Sequence, residues 1–110
     1  MATLPLPLIQ GTLDLMVLRT LSRHAMHGYA IARAIHDRTA GELAIDDAAL
    51  YQALHRLHRL DLVEAEWGPS DNNRRARYYT LTPAGRKKLR EATSQWRRYT
   101  RAVDAVLQGA

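Results

Sequence analysis

The apolar positions near the start of the chain predict a helix that is hydrophobic on more than one side. The chain can become helical after Pro7, because two prolines keep the preceding residues extended. One face of this first helix carries Leu13, Met16, Val17 and Leu21. Elsewhere on the same helix lie Leu8, Leu15 and Leu18. A helix that is apolar on two sides usually has two neighbours, so we expect these last three leucines to contact a second subunit.

Two more helices are predicted before residue 60. The pattern breaks at His27 and Gly28, and residues 29–38 have the spacing of a short second helix. A third helix begins at Asp46 or Asp47, whose carboxylate can accept hydrogen bonds from the free amides of the first turn. Its inward stripe consists of Leu50, Leu54 and Leu57. Its opposite side is rich in hydrogen-bond donors without an acidic residue, and it carries Ala48, Tyr51, Gln52, His55, Arg56 and Arg59.

Alternation of apolar and charged residues then predicts a β-hairpin. Val63, Ala65 and Trp67 alternate with two glutamates, which is typical of a strand. Residues 68–73 are a cluster of turn-forming types, and residues 77–81 are a second β-rich run. The hairpin therefore carries Arg74 and Arg75 at its tip.

The last predicted helix has an apolar seam of its own. Thr82 can cap it and Pro83 suits its first turn. The seam alternates spacings of three and four residues, as in a coiled coil, and consists of Leu89, Ala92, Trp96, Tyr99, Val103 and Val106. We interpret it as a dimerisation arm, which would join the three leucines of the first helix in a dimer interface. The alternative is that the seam packs against the first helix of its own chain.

Composition excludes several classes of protein. The chain of 110 residues has no cysteine, so disulfides, thiolate zinc sites and cysteine nucleophiles are excluded. A hydrophobic share of 46% with 25% charged residues is ordinary for one compact globular unit. No apolar run approaches the roughly 18 residues of a membrane span, so we expect a soluble cytoplasmic protein without a membrane partner.

The basic residues are concentrated in one part of the chain. Residues 74–101 contain ten arginines and lysines against a single acidic residue, Glu91, whereas residues 1–73 contain six basic and nine acidic residues. This asymmetry favours an anionic partner, most simply a phosphate backbone. A solvated helix face is the alternative that charge alone leaves open.

The order of the elements (three helices, a hairpin and a final helix) predicts a mainly α fold, a winged helix-turn-helix with a two-stranded β wing and a long C-terminal dimerisation helix. Residues 1–82 would form the DNA-binding part and residues 83–110 the dimerisation helix, within one compact unit. The third helix would enter the major groove, and the wing would follow the backbone or the adjacent minor groove. A winged helix can also be a protein-interaction module, but such a module does not need a basic wing beside an acid-free helix face.

Candidate DNA contacts lie on the third helix and on the wing. Gln52, His55 and Arg59 share one face and have the donors that read base edges. Three closely spaced cations on a hairpin repel one another unless phosphates neutralise them, and these are Arg74, Arg75 and Arg77. Asn73 could bind backbone oxygens beside them, or simply form the turn.

Other chemistry has little support in the sequence. Five histidines are present, but neither close pair has the carboxylate or cysteine partners of a zinc site. No serine nucleophile motif, phosphate-binding glycine loop or paired catalytic carboxylates occur. We therefore predict no enzyme activity, no metal site and no cofactor.

Several short motifs together resemble the PadR family of transcriptional regulators over residues 8–107. They are Gly28-Tyr29, residues 50–57, Glu66-Trp67, residues 72–76 and residues 79–85. The chain is similar to the short subfamily, in which the C-terminal part is a single dimerisation helix. The resemblance implies a dimeric repressor of an inverted-repeat operator that is released by a small aromatic or lipophilic effector.

The resemblance also bears on particular residues. Tyr51 matches a family tyrosine, whose hydroxyl would donate to a phosphate; a half-buried ring under the wing is the alternative. Trp96 is large for a coiled-coil position, so two such rings in a dimer could flank a cavity for a flat ligand, or Trp96 could fill the gap against the first helix. Asp61 stands where the family commonly has glycine, and we expect it to tolerate a left-handed backbone. Ala48 and Gln52 replace the family's usual glycine and proline, which changes the surface offered to bases.

Overall fold

In the computed structural model, which describes residues 5–70 and 72–109, the fold consists of four helices and a small three-stranded antiparallel sheet. The elements in chain order are α1 (Thr12–Leu21), β1 (Met26–His27), α2 (Gly28–Arg38), α3 (Asp47–Arg59), β2 (Val63–Pro69), β3 (Arg75–Leu81) and α4 (Pro83–Gln108). The wing is the hairpin of β2 and β3. Asp71, within its predicted turn, lies outside the described residues. The mainly α winged fold predicted from the sequence is confirmed.

One hydrophobic core holds α1, α2 and α3 against the base of the sheet. The predicted stripe of α3 is confirmed, since Leu50, Leu54 and Leu57 are each at most 2% exposed. From the other elements, the core receives Leu13, Val17, Leu18, Leu21, Ile31, Ile35, Ala53, Val63, Tyr79 and Leu81. Because the stripe is buried, the opposite face of α3 must point to solvent.

The start of α1 differs from the prediction. The helix begins at Thr12, after Gly11 takes a left-handed backbone with a φ of 87°. Leu8 therefore lies outside the helix and is 37% exposed. The segment before it is extended beside the loop after α2, where the Leu6 amide donates to the Glu42 carbonyl at 2.9 Å. The two prolines alone did not locate the helix start, because the left-handed residue ends the extended segment four positions later.

Leu18 also departs from the prediction. We expected it at the surface of α1, available to a second subunit, but it is 2% exposed and belongs to the core of its own chain. The core covers a wider sector of α1 than one stripe, because α1 contacts α2, α3, α4 and β3 at once. Leu15 remains partly exposed on this helix.

The sheet has a third strand that the sequence did not predict. The strand order is β1-β3-β2, and β1 pairs with β3 through Met26 with Tyr79 and His27 with Tyr78. Two residues are too few to produce a visible alternation, so such a strand is apparent only from its pairing. It joins the entry of α2 to the wing.

The predicted local signals at helix ends are confirmed. The Asp46 carboxylate accepts from the Ala49 amide at 2.8 Å, and the Thr82 hydroxyl accepts from the Gly85 amide at 2.9 Å. Asp61 takes a φ of 60°, the left-handed conformation expected there. These caps depend on neighbouring residues alone, which is why the sequence predicts them.

Helix α4 extends away from the rest of the molecule. Its 26 residues span about 39 Å at 1.5 Å per residue. The Cα radius of gyration is 15.5 Å, whereas a compact chain of this length has about 13 Å. Leu89 packs against the core, while most side chains after Trp96 are exposed. Among the described residues, no helix is both long enough and apolar enough to cross a membrane.

Candidate nucleic-acid interface

The outward face of α3 presents the predicted row of polar side chains. Tyr51, Gln52, His55 and Arg59 are all exposed, and with Ala48 and Arg56 they line one shallow depression. The structure therefore brings the three proposed base-reading residues together on one surface. Their donors and acceptors are the kinds that pair with base edges in a major groove.

Arg56 differs from its neighbours on this face, because an acidic residue of another helix holds it. Its Nε donates to Asp14 Oδ2 at 3.2 Å, and its Nη2 donates to Asp14 Oδ1 at 2.5 Å. The hydrogen bond with Asp14 raises the pKa of Arg56. The α3 residues on this face include no acidic side chain, but in the folded structure α1 places the Asp14 carboxylate beside them. We therefore leave Arg56 out of the phosphate contacts.

The two faces of the wing carry opposite charges. In the register of β2 and β3, Trp67 lies opposite Arg77 and Pro69 opposite Arg75, whereas Glu64 and Glu66 lie opposite Thr80 and Tyr78. Residues directly opposite each other share a face, so the two arginines and Trp67 are on one side and the two glutamates on the other. The wing therefore has one cationic face.

The cationic face borders an open groove of about 810 Å³ between the wing and the first turn of α2. We call this the wing groove. Its lining includes His27, Tyr51, Trp67, Arg75 and Arg77. The side chains around it can donate hydrogen bonds or carry positive charge, which suits an anion such as a phosphate.

Arg77 connects the wing to α3. It lines the wing groove and also a smaller cavity of about 210 Å³, which is lined by Tyr51, His55 and His58 as well. Tyr79, beside it on the same strand face, is 7% exposed. Burial raises the pKa of the Tyr79 hydroxyl, and the charge of Arg77 partly opposes this effect. The Tyr79 hydroxyl therefore stays uncharged beside the cationic groove.

Tyr51 occupies a place that Gly28 makes available. A β-carbon on residue 28 would lie 2.7 Å from the Tyr51 hydroxyl oxygen and 2.9 Å from the ring carbon that bears it. The ring can lie against α2 only because residue 28 has no side chain. Tyr51 is nevertheless 52% exposed and lines the wing groove, and contact of its hydroxyl with a phosphate remains a prediction.

His27 is a further residue of the groove that the sequence did not assign. Its Nδ1 accepts from the Ala30 amide at 3.2 Å and caps α2. The ring meets Tyr78 edge-on, with 5.4 Å between centroids. Since an amide must donate, the neutral ring carries its proton on Nε2. Histidine is not a usual N-cap residue, so only the three-dimensional structure identifies this role.

The wing tip is a hydrogen-bonded turn. The Ser70 amide donates to the Arg74 carbonyl at 2.8 Å, and the Asn73 amide donates to the Ser70 carbonyl at 3.1 Å. Asn73 has a φ of 65°, so forming the turn is part of its role, while its side chain stays exposed. Arg74 is also exposed beside it. Contact of either residue with DNA remains a prediction.

Trp67 is an exposed residue of the wing whose burial the strand pattern alone does not indicate. Alternation puts it on the same face as the core residues Val63 and Ala65, and the register agrees. It is nevertheless 60% exposed, because β2 continues beyond the helices that cover the base of the sheet. Its position immediately before the turn was the available signal that it lies outside the core.

The described residues, 5–70 and 72–109, contain no group of three or more histidines and carboxylates able to hold a metal ion. The donors of α3 and the wing groove instead suit binding through hydrogen bonds and charge.

Comparison with known proteins identifies the family. The model of the transcriptional regulator PadR-like family matches residues 17–91. A protein of Lysinibacillus sphaericus is 29% identical over 93% of this chain and 94% of its own. The structure of a transcriptional regulator from Clostridium thermocellum is similar with a TM-score of 0.80 and 26% identity, covering 87% of this chain and 93% of that one. That of a PadR family regulator from Eggerthella lenta has a TM-score of 0.79 and 30% identity, covering 92% and 86% respectively.

The matched region runs from within α1 to the start of α4, and it includes α2, α3 and the wing, which carry the candidate surface described above. The resemblance identified from short motifs is thus confirmed by a match over most of the chain. Regulators of this family bind DNA and are not enzymes. The chain belongs to the PadR-like family of transcriptional regulators.

Proposed function

We propose that the chain is a dimeric repressor that binds an inverted-repeat operator in the cytoplasm. Residues 1–82 would supply the DNA-binding part and residues 83–110 the dimerisation helix. The observation that carries the proposal is the charge separation of the wing. A phosphate backbone along the wing groove would meet Arg75 and Arg77 and avoid Glu64 and Glu66.

Within this proposal the residues divide into two groups. Gln52, His55 and Arg59 read bases, because glutamine pairs with adenine and arginine with guanine in the major groove. The wing supplies contacts to phosphates, which hold the protein in place without reading sequence, through Asn73, Arg74, Arg75 and Arg77. The Tyr51 hydroxyl joins the second group, since its ring is fixed against Gly28 at the edge of the wing groove.

Alanine substitutions should separate the two groups. Arg75→Ala should weaken binding to all sequences about equally and reduce the salt slope by about one for each lost contact. Gln52→Ala or Arg59→Ala should instead cost about 1–3 kcal/mol on the operator alone. The measurement is fluorescence anisotropy with operator and random duplexes at several salt concentrations.

Glu64→Ala is the matched control, because it removes a charged wing side chain from the face opposite the wing groove. It should leave binding to either duplex no weaker. Equal losses on operator and random DNA for all the α3 and wing variants would contradict the assignment of base-reading residues. A wild-type chain that binds neither duplex would instead support the alternative of a protein-interaction module without DNA binding.

The dimer is supported by the apolar surface that one chain leaves exposed on α4. Tyr99 is 61% exposed, Val103 39% and Val106 77%. Ala92 and Trp96, nearer the core, are partly buried. A second copy would cover these residues together with Leu89, Leu8 and Leu15 at burial energies of about 25 cal/mol per Å². Leu107, 75% exposed, extends the same surface beyond the predicted seam.

The proposed effector site involves Trp96. Its ring lies 6.4 Å from that of Tyr99, with 30° between the planes, so the two form an aromatic surface on the side of α4 that the dimer would enclose. Two copies facing each other would suit a flat aromatic or lipophilic molecule. A compound of this kind that releases the DNA should also quench Trp96 fluorescence, measured in a Trp67→Phe background. Release of DNA without quenching would place the effector elsewhere.

A further inference from the structure

The wing carries an exposed tryptophan in direct contact with one of its arginines. Arg75 Cζ lies 5.7 Å from the centre of the Trp67 ring system. The two residues are diagonal neighbours on the cationic face, since Pro69 pairs with Arg75 and Trp67 with Arg77. A cation at this distance from an aromatic face is attracted by the negative charge of the ring face. The contact therefore restricts the positions that the Arg75 side chain takes.

Packing against the core does not account for Trp67. Along the same face of β2, exposure rises from 1% at Val63 to 60% at Trp67. The ring instead lines the wing groove together with Arg75 and Arg77. A largely exposed indole gains little free energy from burial. The position of Trp67 is therefore better explained by its effect on neighbouring charged groups.

Stacking holds an arginine without using the groups that bind phosphate. A guanidinium donates its hydrogen bonds in its own plane, so a ring over its face leaves those donors free. Arg56 shows the contrast within the same molecule, because Asp14 takes two of its N–H groups and balances its charge. A contact through the ring face, unlike the ion pair of Arg56, is compatible with an arginine that also binds an anion.

We propose that Trp67 is a positioning residue that holds Arg75 ready to bind a DNA phosphate at the wing groove. The inference rests on the proposed DNA binding and adds the residue that orders one of its contacts. An exposed cation–π pair corresponds to about a two- to fivefold effect on affinity for each subunit, or roughly four- to twenty-fivefold in a dimer. The effect is independent of sequence, because phosphates carry no base information.

A double-mutant cycle on a random-sequence duplex tests the proposal, with Trp67→Leu, Arg75→Ala and the combined variant. Trp67→Leu should weaken binding by the factor given above. In the Arg75→Ala background the same substitution should have little further effect, since the residue it positions is gone. Trp67→Phe should restore part of the loss, because phenylalanine keeps an aromatic face. Leucine keeps an apolar side chain of useful size but has no such face.

A measurement without DNA checks the contact itself. In NMR spectra of the free protein, the Arg75 side-chain protons should be shifted upfield by the indole ring current and should lose that shift in Trp67→Leu. Thermal unfolding of each variant shows whether the fold is retained, and Glu66→Leu, on the opposite face of β2, is the matched control for adding leucine to this strand.

The outcomes separate this inference from the function on which it rests. If the wild type binds DNA but the two single losses simply multiply in the double variant, Trp67 does not act through Arg75 and the inference is wrong. Full affinity in Trp67→Leu also overturns it. If the wild type binds no duplex, the proposed function fails and the inference fails with it, whatever the ring-current shift.

Discussion

Val103→Asp is expected to convert the dimer into a monomer and to abolish tight binding to a full inverted-repeat operator. Val103 lies on the exposed α4 seam between Tyr99 and Val106. In the proposed interface each subunit would bury one new carboxylate without a partner, at a cost of at least several kcal/mol for the pair. Sedimentation velocity at micromolar concentration measures the assembly, and anisotropy with the operator measures binding.

The loss of DNA binding follows from the geometry of a paired site. Two-fold symmetry sets two recognition helices about 34 Å apart, or a multiple of that distance, to match two half-sites. A monomer can occupy only one half-site, so it loses the second set of contacts and the benefit of linking them. The isolated fold should survive, because the core of α1, α2 and α3 does not include residue 103.

Ala105→Asp is the matched control for this substitution. Residue 105 is also exposed on α4, two positions further along and about 200° round the helix axis at 100° per residue. The same charge placed there should leave the dimer and the operator complex intact. A wild type that sediments as a monomer, or a Val103→Asp variant that binds the full operator normally, would contradict the proposed interface.

Binding to DNA should depend steeply on salt. If a dimer neutralises about six to ten phosphates, affinity should fall roughly 10³–10⁵-fold between 50 and 200 mM salt. The wing supplies the minimum of this range, because Arg74, Arg75 and Arg77 from two subunits make six cations. Arg56 adds little, since Asp14 balances its charge.

The measurement is the slope of the logarithm of affinity against the logarithm of salt concentration, on operator and on random DNA. A combined Arg75→Ala and Arg77→Ala variant should flatten the slope on both duplexes by about one for each contact removed. Asp14 allows a check in the opposite direction, because Asp14→Asn frees Arg56 beside the DNA-facing surface and should not flatten the slope. Binding by the wild type with no salt slope would exclude the phosphate contacts of the wing.

Much of the fold was predictable because its signals are local. The caps at Asp46 and Thr82 use amides three residues away, and the left-handed turn at Asp61 depends on that residue and its neighbours. The stripe of Leu50, Leu54 and Leu57 follows from helical periodicity. The same periodicity places Gln52, His55 and Arg59 on the outer face of α3, so the candidate surface was also predictable in outline.

The rest of the interface depends on contacts between distant parts of the chain. Asp14 reaches Arg56 across 42 positions, and an acidic residue so far away cannot be seen from the composition of α3. Gly28 and Tyr51 lie on different helices, yet the Tyr51 side chain can occupy its position only because Gly28 has no β-carbon. Two-residue strand β1, which joins the entry of α2 to the wing, exists only through its pairing with β3.

Periodicity and capping act within a few residues, so the helices after α1, the wing, the caps of α3 and α4 and the polar face of α3 could all be predicted from the sequence. Only the tertiary structure decided which neighbour covers each apolar face and where that cover ends. Leu18 is buried because α1 has neighbours on several sides, and Trp67 is exposed because β2 extends past the helices. An alternating or helical pattern identifies a face, but burial also requires another element in contact with that face.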